Sequence, residues 1–139
     1  DSVEGETEFV EYEKYKGCSG IKKNFGKLRR YANQETDAHE SFPIKTTTLA
    51  KVLDECKAPN VIDYFALDVE RSELEILKAF PFDRYKFKAM SIEMGGSTFK
   101  ELTNLIKDKG YIRVDNPFNR VLFEAYFIHK DFIKIDYKV

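Results

Sequence analysis

The sequence is poor in the residues that build metal and redox sites. It has two cysteines, Cys18 and Cys56, and two histidines, His39 and His129. These stand at no metal-ligand spacing from one another, so no zinc pattern exists. Two distant cysteines read as reduced, structural thiols in a reducing compartment, although a secreted chain could still pair them. Net charge is lacking too: 24 acids against 23 lysines and arginines leave a formal −1. Bulk electrostatics therefore give no case for a nucleic-acid partner or an anionic membrane. The basic run KKNFGKLRR (Lys22–Arg30) stands alone and reads as a solvated loop or helix face. No stretch approaches the roughly 18 apolar residues of a membrane helix, and no signal peptide is visible. Repeats and low-complexity segments are missing as well. The compartment reading is cytoplasmic, with a lumenal or membrane-anchored parent left open. A start at Asp1 without Met suggests a chain processed or cut from something longer.

What remains is one α/β domain, or a piece of one, long enough at 139 residues for a real core. TEFVEYEKY alternates imperfectly, with Phe9 on one side of a pleat and Val10 and Tyr12 on the other. After GCSG, the polar stretch Lys22–Ser41 has no clear period and reads as a long loop with one helical turn. Ile44–Thr46 fits a short strand beside Pro43. Thr47 or Thr48 can cap a helix carrying Leu49, Val52, Leu53 and Cys56, which Pro59 stops. VIDYFALDV is nearly all apolar, which implies cover on both sheet faces. Ser72 follows as an N-cap, with Glu75 as its capping-box partner, in a helix ended by Pro81. KFKAMSIEM is the next strand. A helix opened by Ser97 or Thr98 carries Phe99, Leu102, Leu105 and Ile106, and Gly110 closes it. YIRVD, a turn at NPFN and the long strand RVLFEAYFIHKD complete the order. Helices alternating with strands predict a doubly wound, mostly parallel sheet with an antiparallel last strand. Its strands are expected near Ile62–Leu67, Phe87–Glu93, Tyr111–Val114 and Leu122–His129, the last inserted between the second and third.

Two of these strands end in acid. Asp68 closes the first, with Glu70 and Glu73 just behind; Glu93 closes the second, before Gly95 and Gly96. Ligands of open α/β sheets bind outside the carboxyl ends of the strands. Neighbouring parallel strands would bring Asp68 and Glu93 to one rim, within about 10 Å, or two strand spacings. Carboxylates there can bond a ligand hydroxyl or amine, act as a general base, or hold a hard cation. Glu70 and Glu73 have a plainer use, since acids in a first helical turn favour the helix dipole.

TTTLAKVL, IDYFALDVERSELEILKAF and KFKAMSIEM together resemble the FkbM-type methyltransferases. So do EGETEFVEY with CSGI, KGYIRV, and RVLFEAYFIHKDF. The likeness covers nearly the whole chain, and its Asp-Val-Glu block is the most specific part. It implies a class I, Rossmann-like fold that uses S-adenosylmethionine to methylate a hydroxyl of a sugar or small natural product. It implies Asp68 and Glu93 as catalytic candidates and Asp68 and Glu70 as cofactor contacts. It also implies that this is the C-terminal part of the domain. The family's glycine loop and ribose-binding acid would lie upstream of the segment matching EGETEF, so the 139 residues alone are expected to be inactive. A divalent cation between Asp68 and Glu93 is compatible with such a fold, but two carboxylates are too few to assign one. One position departs from the pattern: Arg71 stands where the family has glycine. If that glycine serves a positive φ or a close approach, Arg71 is costly there. A degenerate domain kept for protein interaction, using the aromatics of NPFNRVLFEAYF, is the competing expectation.

Overall fold

The computed structural model describes residues 3–13, 19–27, 39–93, 98–115 and 124–133. The chain divides into two compact units. Residues 1–52 and 69–80 form the first, and 53–68 with 81–139 form the second.

The first unit is built on an antiparallel sheet of order β2-β1-β3, with β1 Gly5–Tyr12, β2 Gly20–Ile21 and β3 His39–Thr46. The alternation of β1 is realised: Val10 and Tyr12 are buried, while Phe9 is half-buried and its ring lies 5.7 Å from that of Phe42 of β3, tilted by 42°. Ser19 of the GCSG stretch accepts a hydrogen bond from the Tyr12 amide at 3.1 Å, just before β2 begins. The helical turn expected in the polar stretch is a 3-10 turn, Lys22–Lys27. The strand expected at Ile44–Thr46 starts earlier, at His39, because β1 pairs with it from Tyr12↔His39 to Gly5↔Thr46. Pairing overrides a locally polar sequence here. Pro43 is tolerated because β3 is the outer strand. Helix α1, Leu49–Glu55, starts where expected, with Thr48 Oγ1 accepting from the Lys51 amide. Its apolar face is not buried: Val52 and Cys56 are exposed. The chain leaves α1 by a 6→1 bond from Ala58 N–H to the Leu53 carbonyl and a 5→2 bond from Lys57 N–H to that of Asp54, with Lys57 at φ 51. That is a Schellman ending without its usual glycine.

The second unit holds a four-stranded sheet of order β4-β5-β7-β6. Its strands are β4 Val61–Leu67, β5 Lys86–Glu93, β6 Tyr111–Val114 and β7 Glu124–His129. β4 and β5 pair in parallel, and β7 pairs antiparallel to both β5 and β6. Thus β4, β5 and β6 share one direction, and the last strand runs against them from between β5 and β6. The expected mostly parallel, doubly wound sheet needs correcting on two counts. Among the described residues, parallel hydrogen bonding joins only β4 to β5, because inserting β7 turns both other ladders of this sheet antiparallel. The chain also carries a separate antiparallel sheet. Cover on both faces holds for β5, where Met90, Ser91 and Ile92 are all buried. It fails for β4, an outer strand whose Val61 and Tyr64 are 43% and 54% exposed. Tyr64 uses its exposed position to donate its hydroxyl proton to Ser91 Oγ at 2.8 Å.

Between β4 and β5 runs α2, Glu73–Ala79, which clusters with the first unit. After β5 comes α3, Phe99–Asp108. Leu102 and Ile106 of α3 are buried, whereas Phe99 is turned outward beneath the Arg113 guanidinium. Gly110 ends this segment at φ 89, and its amide donates to the Lys107 carbonyl. At the α1 end, Asp54 takes the Tyr85 hydroxyl at 2.6 Å and Arg84 at 2.8 Å. The Tyr85 bond is the main reason the Asp54 carboxyl sits below its ordinary range. NPFN and residues 120–123, counted into the last strand from sequence, lie outside the described residues.

β7 ends in His129, which is 4% exposed. Its Nδ1 accepts from the Asp131 amide at 3.2 Å, and its ring meets Tyr111 edge-on. The Tyr111 hydroxyl in turn accepts from the Phe87 amide of β5. Burial pushes the His129 pKa below its ordinary value, and the nearby Lys86 cation adds to this. The Asp131 charge and a bond to the Lys109 backbone oppose it, while Lys130 acts with Lys86. A depressed histidine pKa means the unfolded chain takes the proton first. Stability is therefore complete above about pH 6.5, the unfolded value, and declines as pH falls through it toward the folded pKa. Thermal melts from pH 8 to pH 5 should show this decline, and His129→Gln should flatten it. Equal slopes for the two proteins would show that His129 is not the titrating group.

Gly110 lies against the same histidine. A Cβ at this position would stand 3.1 Å from His129 Nε2, and φ 89 suits glycine. Gly110→Ala should cost about 2 kcal/mol in urea unfolding. A cost near zero would mean that the turn relaxes freely.

Candidate functional site at the ends of β4 and β5

The β4–β5 register places Leu67 opposite Ile92, both buried. Those apolar partners anchor the strand ends, and the next residue of each strand is an acid. Asp68 and Glu93 are thus brought together: they offer carboxylate oxygens within 4.8 Å of each other. Asp68 is exposed and Glu93 half-buried, so both reach solvent. The rim they form belongs wholly to the second unit. Chemically, such a pair can accept hydrogen bonds from hydroxyl or amine groups, take up a proton, or favour a cationic ligand. Hard cations use oxygen ligands of this kind but take six or more of them, so this pair alone makes no metal site. Gly95 and Gly96, noted for the space they could leave beside Glu93, lie outside the described residues.

Glu70 falls in the stretch that packs with the first unit, immediately after β4, and its backbone is left-handed at φ 50. Arg71 follows at φ 81. Two consecutive non-glycine residues in this region are costly, at about 1–2 kcal/mol each. The condition under which Arg71 is costly is therefore met: the position does require a positive φ.

Glu73 holds this turn. It is 6% exposed, and its Oε1 accepts from the Val69 amide at 2.9 Å and from the Arg71 amide at 3.2 Å. Backbone bonds to a carboxylate contribute about 1.5–3 kcal/mol each, enough to offset the strain of two left-handed residues. The capping box expected from Ser72 and Glu75 does not form. Ser72 has φ −94 and ψ 0 and makes no side-chain cap; its hydroxyl receives Asn24 Nδ2 at 2.8 Å instead. Glu75 is exposed and pairs with Lys23 at 3.1 Å. The Ser-x-x-Glu spacing pointed to the wrong glutamate. The usable signal was a glutamate at the first helical position, four residues after an amide that the end of β4 leaves without a helical partner.

No helix among the described residues is long and apolar enough to cross a membrane. No curated protein and no solved structure matches the chain. A family model, the methyltransferase FkbM domain, matches residues 4–113. That span runs from before β1 into β6 and contains both acid-ended strands and the Glu73 turn between them. With most of its length matched, the chain belongs to the FkbM methyltransferase family.

Proposed function

We propose that this domain, as part of a longer chain, transfers a methyl group from S-adenosylmethionine to a hydroxyl of a sugar or small natural product. The family supports methyl transfer in general. The observation that carries the finer reading is the approach of Asp68 and Glu93 to within 4.8 Å at the carboxyl ends of two parallel strands. This is the edge where open α/β sheets bind ligands. The donor chemistry fits the cofactor: carboxylates suit both its hydroxyl and amine groups and its positive sulfur. When bound, the cofactor supplies a methyl already activated as a sulfonium. The protein is left with positioning and with managing one proton. In this reading Asp68 orients the acceptor hydroxyl and takes its proton, and Glu93 fixes the acceptor from the neighbouring strand. Asp68 and Glu70 also contribute to holding the cofactor.

A second reading draws on Arg71. Its left-handed φ of 81 is a position where the family carries glycine, and a domain released from catalysis tolerates such a residue. The domain would then serve as a protein-interaction module. The two readings separate in one assay on the longer chain that includes the upstream cofactor-binding segment, with methyl-labelled S-adenosylmethionine and a panel of sugar and polyol acceptors. The expected outcome is labelled ether product, with Asp68→Asn lowering kcat by about 10²- to 10⁴-fold and Glu93→Gln raising the acceptor KM. Calorimetry should show the melting temperature of both variants to be that of wild type. Activity undiminished in both would overturn the assigned roles. No product and no cofactor binding by the well-folded longer chain would favour the interaction module.

A further inference from the structure

The β4–α2 turn makes a demand that its own residues do not meet. Glu70 and Arg71 both hold a positive φ, and neither is glycine. The helix that follows lacks a Ser72 cap, because Asn24 engages that hydroxyl. One buried carboxylate, Glu73, reaches back over the turn and accepts from two of its amides. One of the amides it binds is that of Val69, and this amide is part of the peptide leaving Asp68. We infer that Glu73 is a positioning residue for the methyl-transfer site. It holds the 69–71 turn in its left-handed form, and so fixes the direction in which the chain leaves Asp68. The inference rests on the methyltransferase reading, and it gives that reading a residue that touches neither cofactor nor acceptor.

The geometry is specific. Asp68 lies between two constraints. On its N-terminal side the Leu67↔Ile92 pairing holds the strand end in register. On its C-terminal side Glu73 Oε1 holds the Asp68–Val69 peptide at 2.9 Å and the Arg71 amide at 3.2 Å. With the second constraint removed, an arginine at φ 81 has reason to relax to the right-handed side, and the peptide after Asp68 turns with it. A helix-start role alone would leave Asp68 indifferent to Glu73. A positioning role makes the effect depend on the residue at position 71.

The test uses Glu73→Ala, Glu73→Gln and the double variant Glu73→Ala with Arg71→Gly, each in the longer chain that includes the upstream cofactor-binding segment. Affinity for S-adenosylmethionine is read by calorimetry, and Val69 and Arg71 amide exchange by NMR. Glu73→Ala should weaken the cofactor by about 10- to 100-fold and expose both amides to exchange. Glu73→Gln, whose amide oxygen can accept the same two bonds, should stay close to wild type. Adding Arg71→Gly to Glu73→Ala should recover most of the affinity, since glycine holds φ 81 without help. Wild-type affinity in Glu73→Ala, or no recovery with Arg71→Gly, would overturn the inference. If Glu73→Ala does not fold, Glu73→Asp, one methylene short of the amides, carries the same comparison. A well-folded wild-type longer chain that binds no S-adenosylmethionine defeats the methyltransferase reading; amide exchange unchanged in Glu73→Ala defeats the Glu73 inference separately.

Discussion

The parallel pairing of β4 with β5 is the constraint on which the rest of the site depends. Its register sets Leu67 against Ile92, and burying that pair fixes where each strand stops. Both strands then stop in an acid at the same level, which puts Asp68 and Glu93 together. A slip of one residue would turn every side chain of β4 to the other face. Leu67 would leave the core and Asp68 would enter it, at the large cost of burying an unpaired carboxylate. The apolar partner thus does more than stabilise the sheet, because it indexes the acids.

β5 can serve as this reference because it is covered on both sides by pairing. β4 bonds one edge, and β7 bonds the other through Ala89↔Ile128 to Glu93↔Glu124. β7 is secured at its far end, where His129 is packed against Tyr111 and the Gly110 turn. Tyr111 returns the connection by accepting the Phe87 amide at the start of β5. These contacts close a loop of support through β5, β7 and β6, far along the strands from the acids. Chemistry at one end of the sheet can therefore vary without disturbing the packing at the other.

Much of this was legible in the sequence, for identifiable reasons. Helices α1, α2 and α3 declared themselves by Thr48, by apolar spacing and by Gly110, all of which act over a few residues. The acids at the strand ends were legible because an abrupt change from apolar to charged marks a boundary whatever the partner is. The length of β3 was not legible, since only its partner β1 carries the polar residues His39–Ser41 into a ladder. Nor was the exposure of β4. Its composition matches that of a strand covered on both faces, and composition carries no record of which strand lies outermost. The capping choice failed for a similar reason: Ser72 suits a cap by type, but Asn24, distant in sequence, claims its hydroxyl.

The left-handed turn shows how sequence and structure inform each other at one position. In the family pattern the glycine could have been there for a helix start, for a close approach, or for a positive φ. The structure distinguishes these, since Arg71 holds φ 81 and the chain is held there by a buried acid. A strained conformation persists only where its surroundings over-determine it. Here the surroundings include one carboxylate and the register of one strand pair. The same turn directly follows Asp68, the residue that the β4–β5 register delivers to the carboxyl end of the strand pair. Strain and register thus meet at one peptide bond, between Asp68 and Val69, and each limits the freedom that the other leaves.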